Sequence, residues 1–330
     1  MANCASFFAG VGGIDKGFEN TGFFHTVYAN EIDSFPARTF ELNFPHVQVD
    51  VRSITEVQAD QIPDVDVIMG GFPCQAFSIA GYRQGFNDER GRGLLFFDIM
   101  RIIHDKPEGH KPHVLFLENV KNLQSHNNGE TFQVILQALQ DEGYYPTYKV
   151  LNACEYGNVP QNRERIYIIA FDNEQDRDNF NFPEPIELTT TLDDIIDFEN
   201  PKDEKYYYTP GKYQGDIYEQ LEDAMADDGP EDRSIYQWRR HYVRKNQSHV
   251  VPTLTANQGT GGHNVCLLKT NDGRIRKMTP HECFNTQGFP EDFILPDDMA
   301  ESRLYKQAGN SVCVSVIQRI AENIRDMWHW

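Results

Sequence analysis

The first half of the chain alternates short apolar segments with segments whose apolar residues recur at helical spacing. The strand-like segments are residues 4–10, 25–31, 65–73, 113–120 and 165–171. The helical patterns are residues 13–22, 34–44 and 129–144, the last of which ends near Gly143. Because strands that alternate with helices form a parallel sheet with helices on both faces, the pattern predicts an α/β fold.

The alternating pattern stops after about residue 171, and a second, smaller and irregular domain is expected there. Proline, acidic residues and tyrosine dominate first, and residues 250–268 are rich in Thr, Gly and Asn, a composition typical of short strands and loops. Residues 311–328 return to an amphipathic helical pattern. We expect this last helix to pack on the first domain.

Charge and cysteine content restrict the class of protein. The formal net charge is -20, which taken alone argues against a nucleic-acid partner. Acidic residues dominate residues 193–232, however, whereas residues 233–281 are basic with Asp272 as the only acid. This basic stretch is either a polyanion-binding surface or an ordinary solvated face. The six cysteines form no CxxC pair and no Cys/His cluster with zinc spacing, so free thiols and no metal are expected.

Membrane insertion and secretion are not expected. No apolar run reaches the roughly 20 residues that span a bilayer. The first residues lack a basic region followed by an apolar stretch, so the predicted location is the cytoplasm.

A glycine turn follows the first predicted strand. Gly10, Gly12 and Gly13 let the backbone turn tightly and approach a ligand closely. Glu31 ends the second predicted strand, where a carboxylate can accept hydrogen bonds from a ribose diol. Asp50 ends another extended stretch and can accept from an adenine amino group. These residues predict a nucleoside cofactor; the alternative is a structural turn with exposed carboxylates at strand ends.

The stretch GGFPCQAFSIAG, residues 70–81, places Cys74 on a tight turn among small residues, just after a buried strand. A core thiol needs no such setting, whereas a thiol that must meet a substrate does. The alternative for a single cysteine is a buried filler.

Over nearly its whole length the chain resembles the DNA cytosine carbon-5 methyltransferases of the bacterial restriction–modification type. The motifs that carry the resemblance are FFAGVGG, NEID, GGFPCQAFS, RGRGLLFFD, LENV, VPQNRERIYI, IRKMTPHECFNTQGFP and YKQAGNSV, in that order. Two positions depart from the family pattern: Ser6 stands where an acid is usual, and Ile32 replaces an aromatic residue. The resemblance implies a Rossmann-like mixed sheet with a smaller irregular target-recognition domain.

The resemblance also implies the residues that perform the reaction. Cys74 attacks carbon 6 of cytosine, and Glu118 holds a proton near ring nitrogen 3. Arg163 and Arg165 grip the base; as alternate residues of one predicted strand, they are expected to face one pocket. Asn119 is expected to brace the loop. No metal is required, because the sulfonium of S-adenosylmethionine is already an activated methyl donor.

The remaining implied contacts are to the cofactor and to DNA. The residues expected to bind S-adenosylmethionine are Phe8, Ala9, Gly10, Gly12, Gly13, Glu31, Ile32, Asp50, Val51, Pro73, Leu95, Asn310, Ser311 and Val312. The target base must be flipped out of its duplex. The residues expected to contact DNA are Gln75, Ser78, Gln161, Tyr236, Gln237, Arg239, Arg240 and Thr253.

The resemblance also implies a division of the chain and its partners. The expected segments are a catalytic and cofactor-binding domain (1–193), a target-recognition domain (194–275), a hinge (276–303) and a returning C-terminal helix (304–330). We expect a monomer of bacterial or phage origin that acts on double-stranded DNA, with any cognate restriction endonuclease acting separately. The alternatives are a tRNA cytosine-5 methyltransferase, a nicotinamide-dependent oxidoreductase that uses the glycine turn, and a DNA-binding module without catalysis.

Overall fold

The computed structural model describes residues 1–73, 95–213, 215–229, 231–239, 241–246, 249–259 and 263–328. The α-helices in these residues are α1 (Gly13–Glu19), α2 (Ser34–Asn43), α3 (Leu95–Asp105), α4 (Glu130–Asp141), α5 (Ala153–Tyr156), α6 (Glu174–Asn179), α7 (Ile217–Ala224), α8 (Pro280–Asn285), α9 (Glu301–Asn310) and α10 (Val314–Asp326). The strands are β1 (Ala2–Phe7), β2 (Phe24–Asn30), β3 (Val49–Asp50), β4 (Val67–Gly70), β5 (Val114–Val120), β6 (Tyr145–Asn152), β7 (Gln161–Asn162), β8 (Glu164–Phe171), β9 (Tyr207–Tyr208), β10 (Ile235–Trp238), β11 (Val243–Asn246), β12 (Val251–Pro252), β13 (Leu267–Lys269) and β14 (Ile275–Lys277).

Seven strands form the main sheet in the order β3-β2-β1-β4-β5-β8-β6. The pairs β2–β3, β1–β2, β1–β4 and β4–β5 are parallel, and β5–β8 is antiparallel. The predicted alternation of strands and helices is therefore confirmed, and the sheet is mixed because β8 runs against β5. Parallel strands place their carboxyl ends along one edge, where ligands of such sheets bind.

Helices cover both faces of this sheet, as the alternation of side chains along β1 shows. Ala5 and Phe7 are buried in one apolar cluster with residues of α3 and α4. Ser6 points to the opposite face, where its hydroxyl donates to Oδ2 of Asp15 in α1 at 3.0 Å. Successive side chains of a strand point to opposite faces, so α1 lies across the sheet from α3 and α4.

The chain forms two compact units. Unit 1 comprises Met1–Leu151, Glu164–Glu184 and Val316–Trp330, and unit 2 comprises Asn152–Arg163 and Pro185–Ser315. These bounds differ from the predicted segments. Residues 152–163 belong to unit 2 because β7 pairs with β12. All of α9 also belongs to unit 2, through contacts such as the bond from the Tyr305 hydroxyl to the Met278 carbonyl, 2.6 Å. The functional division of the chain stays a prediction.

Unit 2 contains a regular antiparallel sheet, in the order β11-β10-β13-β14-β9. Its apolar cluster includes Leu221, Met225, Tyr236, Leu267 and Ile275. The short strands agree with the Thr-, Gly- and Asn-rich sequence, and the expected irregularity is confined to the connections. Across the described ranges, no helix combines the length and apolar character needed to cross a membrane.

Candidate active site

The glycine turn joins β1 to α1 at the carboxyl edge of the main sheet. Phe8, Gly10 and Gly12 all have positive φ, at 54°, 56° and 85°. A Cβ at position 12 would lie 2.4 Å from the Phe44 ring, whereas the space around position 10 is open. Gly12 is therefore required by both conformation and packing, and Gly10 by conformation. Gly13 begins α1 directly afterwards.

Glu31 follows β2 and lies beside this turn. Its Oε2 accepts the Gly10 N–H at 3.0 Å, and its Oε1 accepts the Asp33 N–H at 2.9 Å. The two backbone bonds fix the carboxylate at the end of the strand. A carboxylate offers about four acceptor positions, so an oriented Glu31 is able to accept further hydrogen bonds from a diol.

Asp50, at the end of β3, is held by its own neighbours. Arg52 donates to it from Nε at 3.0 Å and from Nη2 at 2.6 Å, and the Tyr28 hydroxyl donates at 2.9 Å. The hydrogen bonds from the Arg52 side chain lower the pKa of Asp50 to about 2. The carboxylate is thus ionised and engaged by an arginine, an arrangement that does not favour the predicted contact with an adenine amino group.

Two exposed apolar side chains flank these carboxylates. Ile32 is 64% exposed and Val51 is 52% exposed. Each directly follows an acidic residue, Glu31 or Asp50. Apolar side chains beside a backbone-held carboxylate match the chemistry of adenosine, which presents a flat ring and a diol. The residues present therefore fit S-adenosylmethionine at this edge.

The segment after β4 leads to the predicted nucleophile. Gly71, Phe72 and Pro73 are described, whereas Cys74, Gln75 and Ser78 lie outside the described residues. Asn119 Nδ2 donates to the Phe72 carbonyl at 2.7 Å, and its Oδ1 accepts the Val120 N–H at 2.8 Å. Asn119 thus anchors the chain two residues before Cys74. Leu95 is the next predicted cofactor residue, at the start of α3.

Glu118 and Arg165 meet on the adjacent strands β5 and β8. Residue 165 pairs with Val120 in the register, so it is diagonal to Glu118 across the antiparallel ladder. Arg165 Nε lies 3.1 Å from Glu118 Oε1, and both side chains are nearly buried. A Cβ at position 71 would lie 3.3 Å from Glu118 Oε2, so Gly71 gives this carboxylate room. The structure therefore brings together Glu118, Arg165 and the end of β4.

Arg163 has different surroundings. It lies between β7 and β8, so it does not share one strand with Arg165 as expected. It is only 2% exposed and donates to the carbonyls of Leu254 at 3.1 Å and Gly309 at 3.2 Å. It also donates to the Ser311 carbonyl. The bonds to Gly309 and Ser311 satisfy carbonyls at the end of α9, and the bond to Leu254 ties this end to the segment after β12 within unit 2.

The predicted cofactor residues 310–312 come directly after the segment that Arg163 holds. Asn310 is exposed at the end of α9, while Ser311 and Val312 are buried. All three belong to unit 2. Their assignment to the cofactor stays a prediction from the resemblance.

Several predicted DNA contacts are buried in unit 2. Gln161 is fully buried and donates to the Thr286 carbonyl at 3.1 Å. Tyr236 is also fully buried, and its hydroxyl donates to Asp228. Gln237 is 5% exposed and donates to the Asn264 carbonyl at 3.1 Å. Side chains in these positions support the sheet, and the structure does not favour their direct contact with DNA.

The other predicted DNA contacts are more accessible. Thr253 is exposed and donates to the Asn162 carbonyl at 2.6 Å. Arg239 is partly exposed, and its Nη1 donates to the His263 carbonyl at 3.1 Å. Arg240 lies outside the described residues.

Sequence reasoning missed the residues that fix the β2–β3 edge. Asn30 is buried, and its Nδ2 donates to the carbonyls of Asp50 and Arg52, both at 2.9 Å. The pairing of Arg52 with Asp50 was also unforeseen. The signal available was an Asn and an Arg at strand ends, which by themselves are common in solvated loops.

Comparisons with known proteins agree with this geometry. The family described as C-5 cytosine-specific DNA methylase matches residues 2–326. The chain is 55% identical over 324 residues to the type II methyltransferase M.Bsp6I of Bacillus sp. (strain RFL6), covering 98% of each protein. It is 38% identical over 330 residues to the type II methyltransferase M.HhaI of Haemophilus parahaemolyticus, covering 96% of this chain and 92% of that one. A DNMT2 variant from Spodoptera frugiperda shares the fold, with a TM-score of 0.73 at 19% identity over 98% of this chain and 100% of that one.

The mixed sheet, the glycine turn and the strand-end carboxylates are typical of a nucleoside-binding α/β protein, and the family match makes it a methyltransferase. The chain belongs to the C-5 cytosine-specific DNA methylase family. Its reaction is the transfer of a methyl group from S-adenosylmethionine to carbon 5 of cytosine in DNA. The predicted family, fold class, activity and cofactor are therefore confirmed.

Proposed function

We propose that the chain methylates one cytosine within a short duplex DNA sequence through a covalent intermediate on Cys74. The observation that carries this proposal is the paired Glu118 and Arg165 at the carboxyl edge of the sheet. Asn119, next to Glu118, anchors the Phe72 carbonyl two residues before Cys74. The proton donor Glu118, the cation Arg165 and the segment that leads to Cys74 thus lie at adjoining parts of one edge of the main sheet.

The chemistry divides between two side chains. The Cys74 sulfur forms a bond to carbon 6 of the flipped base, while the Glu118 carboxyl gives a proton to ring nitrogen 3. This step makes carbon 5 electron-rich. Bound S-adenosylmethionine supplies the activated methyl group on its sulfonium. Loss of the carbon-5 proton to a base then restores the ring as the carbon–sulfur bond breaks. This regenerates the Cys74 thiolate, and ring nitrogen 3 returns its proton to Glu118.

Arg165 orients both Glu118 and the base. A guanidinium has five N–H donors. The Nε group faces Glu118, and Nη1 donates to the Glu164 carbonyl at 2.9 Å. The planar fork is also suited to the exocyclic oxygen of cytosine, which would hold the ring beside the carboxyl.

Arg163 has a positioning role in this proposal, which differs from the role implied by the resemblance. Its guanidinium bonds to the carbonyls of Gly309 and Ser311 and thereby fixes the segment that contains Asn310. Residues 310–312 stay candidates for cofactor binding on the resemblance alone. Arg163 is in this proposal a residue that holds their backbone in place.

The main-sheet edge supplies the other cofactor contacts. Glu31 accepts from the ribose hydroxyls, and Ile32 and Val51 cover the adenine ring. Phe8, Ala9 and the glycine turn give a backbone surface for the sulfonium end, and Pro73 and Leu95 flank the segment that carries Cys74. Asp50 supports this edge through its pairing with Arg52.

Target recognition is assigned to unit 2. Arg239 and Thr253 are the accessible candidates for DNA contact, and Arg239 lies in the basic stretch that follows residue 232. Gln161, Tyr236 and Gln237 support the local fold. For Gln75, Ser78 and Arg240, which lie outside the described residues, the resemblance alone supports a contact with DNA.

The biological role proposed is that of a type II restriction–modification methyltransferase. M.Bsp6I and M.HhaI both carry the type II name, and each is matched over more than nine-tenths of its length. The protein would act as a monomer on cellular DNA in the cytoplasm, and a separate endonuclease would cut unmodified copies of the same sequence.

Two methylation assays test this proposal. The tag-free protein, with tritiated S-adenosylmethionine, is offered duplex DNA and total tRNA in parallel, and DNA from expressing cells is mapped for 5-methylcytosine. The proposal predicts label in DNA and one short sequence context that is fully methylated. Label confined to tRNA would contradict it, as would scattered methylation without a common sequence.

A further inference from the structure

A cluster of two imidazoles and one carboxylate lies outside the candidate active site. It consists of Glu19 at the end of α1, His25 near the start of β2 and His46 between α2 and β3. We propose that this cluster binds a divalent transition-metal ion, with zinc as the probe of choice. In the part of the chain that the structure describes, it is the one group of three such side chains whose ligand atoms converge.

The spacing of the three ligand atoms fits a tetrahedral ion. Glu19 Oε1 lies 3.2 Å from His46 Nε2 and 3.6 Å from His25 Nδ1. Zinc holds nitrogen and carboxylate oxygen ligands at about 2.0–2.2 Å, so neighbouring ligands of a tetrahedral site are about 3.4 Å apart. All three atoms lie within 4.8 Å of one another, and one imidazole must rotate out of the His25–His46 ring stack for both nitrogen lone pairs to point at one ion.

The local structure holds these side chains in place. The Thr26 N–H donates to Glu19 Oε1 at 3.0 Å, which ties the carboxylate to β2. The two imidazole rings stack with centroids 4.5 Å apart and an interplanar angle of 18°. The His46 ring also meets the edge of the buried Phe44 ring, 6.3 Å between centroids. The Thr26 and Phe44 contacts hold Glu19 and His46 before an ion arrives, and fixed ligands make a site more selective.

The cluster is accessible to an ion from solvent. The side chains of His25 and His46 are 41% and 36% exposed, and that of Glu19 is 22% exposed. Three protein ligands leave a fourth position for water. The spacing of residues 19, 25 and 46 matches no short metal-binding motif, because the fold, and not a local sequence pattern, brings them together.

The expected consequence is stabilisation of unit 1. An ion that binds the folded state and not the unfolded chain raises the free energy of unfolding. Here it would link the end of α1, the start of β2 and the connection before β3. The candidate active site does not use these three residues, so the inference is independent of the proposed methyl-transfer mechanism.

The alternative is a metal-free cluster in which the two imidazoles pair with Glu19. A zinc titration distinguishes the two possibilities, because only a metal-binding cluster gives saturable binding near one equivalent.

The test uses tag-free full-length protein that has been treated with a chelator and dialysed. Zinc is titrated by calorimetry, cobalt by visible absorption, and the melting temperature is measured with and without zinc. We expect one equivalent of zinc, cobalt bands of a tetrahedral site and a higher melting temperature. His25→Ala and His46→Ala should each weaken zinc binding at least about tenfold. Absence of saturable binding near one equivalent would overturn the proposal.

The matched control is His104→Ala, because His104 also contacts a carboxylate, that of Glu142 at 2.9 Å, but lies outside the cluster. This variant should bind zinc as the unchanged protein does, and equal losses in all three variants would overturn the proposal. Glu19→Gln keeps an acceptor for the Thr26 N–H while removing the anionic ligand. Should an alanine variant fail to fold without metal, His25→Gln and His46→Gln replace them, and unchanged zinc affinity in both would again overturn the proposal.

Discussion

Arg165 Nε lies 3.1 Å from Oε1 of Glu118, diagonally across the antiparallel pair β5–β8. The side chains are only 13% and 10% exposed. A rigid strand pair thus fixes a carboxyl group and a guanidinium relative to one another at the edge of the sheet. The adjacent Asn119 fixes the segment that leads to Cys74, so positioning of the reacting groups depends on the sheet itself.

Replacing Glu118 by Gln tests its part in the chemistry. The amide keeps the size of the side chain but cannot give a proton to the ring. A positioned acid typically contributes about 10²–10⁴-fold to the rate, so we expect kcat to fall by that range. Single-turnover methylation measures this, with S-adenosylmethionine affinity as the control. An unchanged single-turnover rate would remove Glu118 from the proposed mechanism.

Arg163→Lys and Arg165→Lys separate two arginines that the sequence presents as equivalent. A lysine cannot reproduce the three carbonyl bonds of Arg163, so we expect Arg163→Lys to lower the free energy of unfolding by about 1–3 kcal/mol. Arg165→Lys should chiefly lower kcat, because Arg165 contacts Glu118 and, in the proposed mechanism, the target base.

Denaturant unfolding and single-turnover rates, measured on both variants, give the comparison. The assignment is contradicted if Arg163→Lys keeps full stability and loses catalysis, or if the two variants behave alike.

Gly12→Ala and Gly10→Ala distinguish packing from conformation in the glycine turn. Both positions have positive φ, which costs a residue with a side chain about 1–2 kcal/mol. Only the Cβ at position 12 meets another group, the Phe44 ring at 2.4 Å. Overpacking of this kind adds about 1–3 kcal/mol. Urea unfolding should therefore show the larger loss for Gly12→Ala, and equal losses would argue against this packing.

The buried carboxyl of Asp15 predicts a pH dependence of stability. Asp15 is fully buried in α1, and burial raises its pKa to about 7 although the Ser6 and Thr26 hydroxyls oppose the shift. A carboxyl whose pKa is higher in the folded state contributes stability below the unfolded pKa of about 3.9. This contribution is lost as the pH rises towards 7. Between pH 5 and pH 8 the expected loss is about 2–3 kcal/mol.

Asp15→Asn is the control for this dependence, since the amide does not titrate. The free energy of unfolding of both proteins is measured in urea at pH 5 and pH 8. The free energy of unfolding of the unchanged protein, relative to that of Asp15→Asn, should fall as the pH rises from 5 to 8. A difference that is the same at both pH values would show that Asp15 does not titrate in this range.

The sequence was sufficient for most of the main sheet, because its central strands are strongly apolar. It did not predict β6 (Tyr145–Asn152), most of whose residues are exposed or half-buried. It also placed Glu31 beside the glycine turn and Glu118 at a strand end, since both belong to local motifs. The partners of polar side chains were not predictable in the same way. Tyr236 and Gln161 look like surface residues in the sequence, but tertiary packing buries both.

Arg163 shows most clearly which contacts the sequence does not predict. Its spacing from Arg165 predicts a common face, but β7 ends before it and β8 begins after it. The carbonyl partners of Arg163 are at positions 254, 309 and 311, far away in sequence. No local pattern reports contacts of that kind, and for the same reason the cluster of residues 19, 25 and 46 is visible only in the fold.

The proposed bond between Cys74 and the target base is tested most directly by trapping it. Duplex DNA with 5-fluorocytosine at the methylated position is incubated with protein and S-adenosylmethionine, then denatured and digested for mass spectrometry. Because fluorine cannot leave as a proton does, we predict one stable adduct per duplex, on the peptide that contains Cys74, and none with Cys74→Ala. An adduct on another residue, or undiminished methylation by Cys74→Ala, would contradict the proposed mechanism.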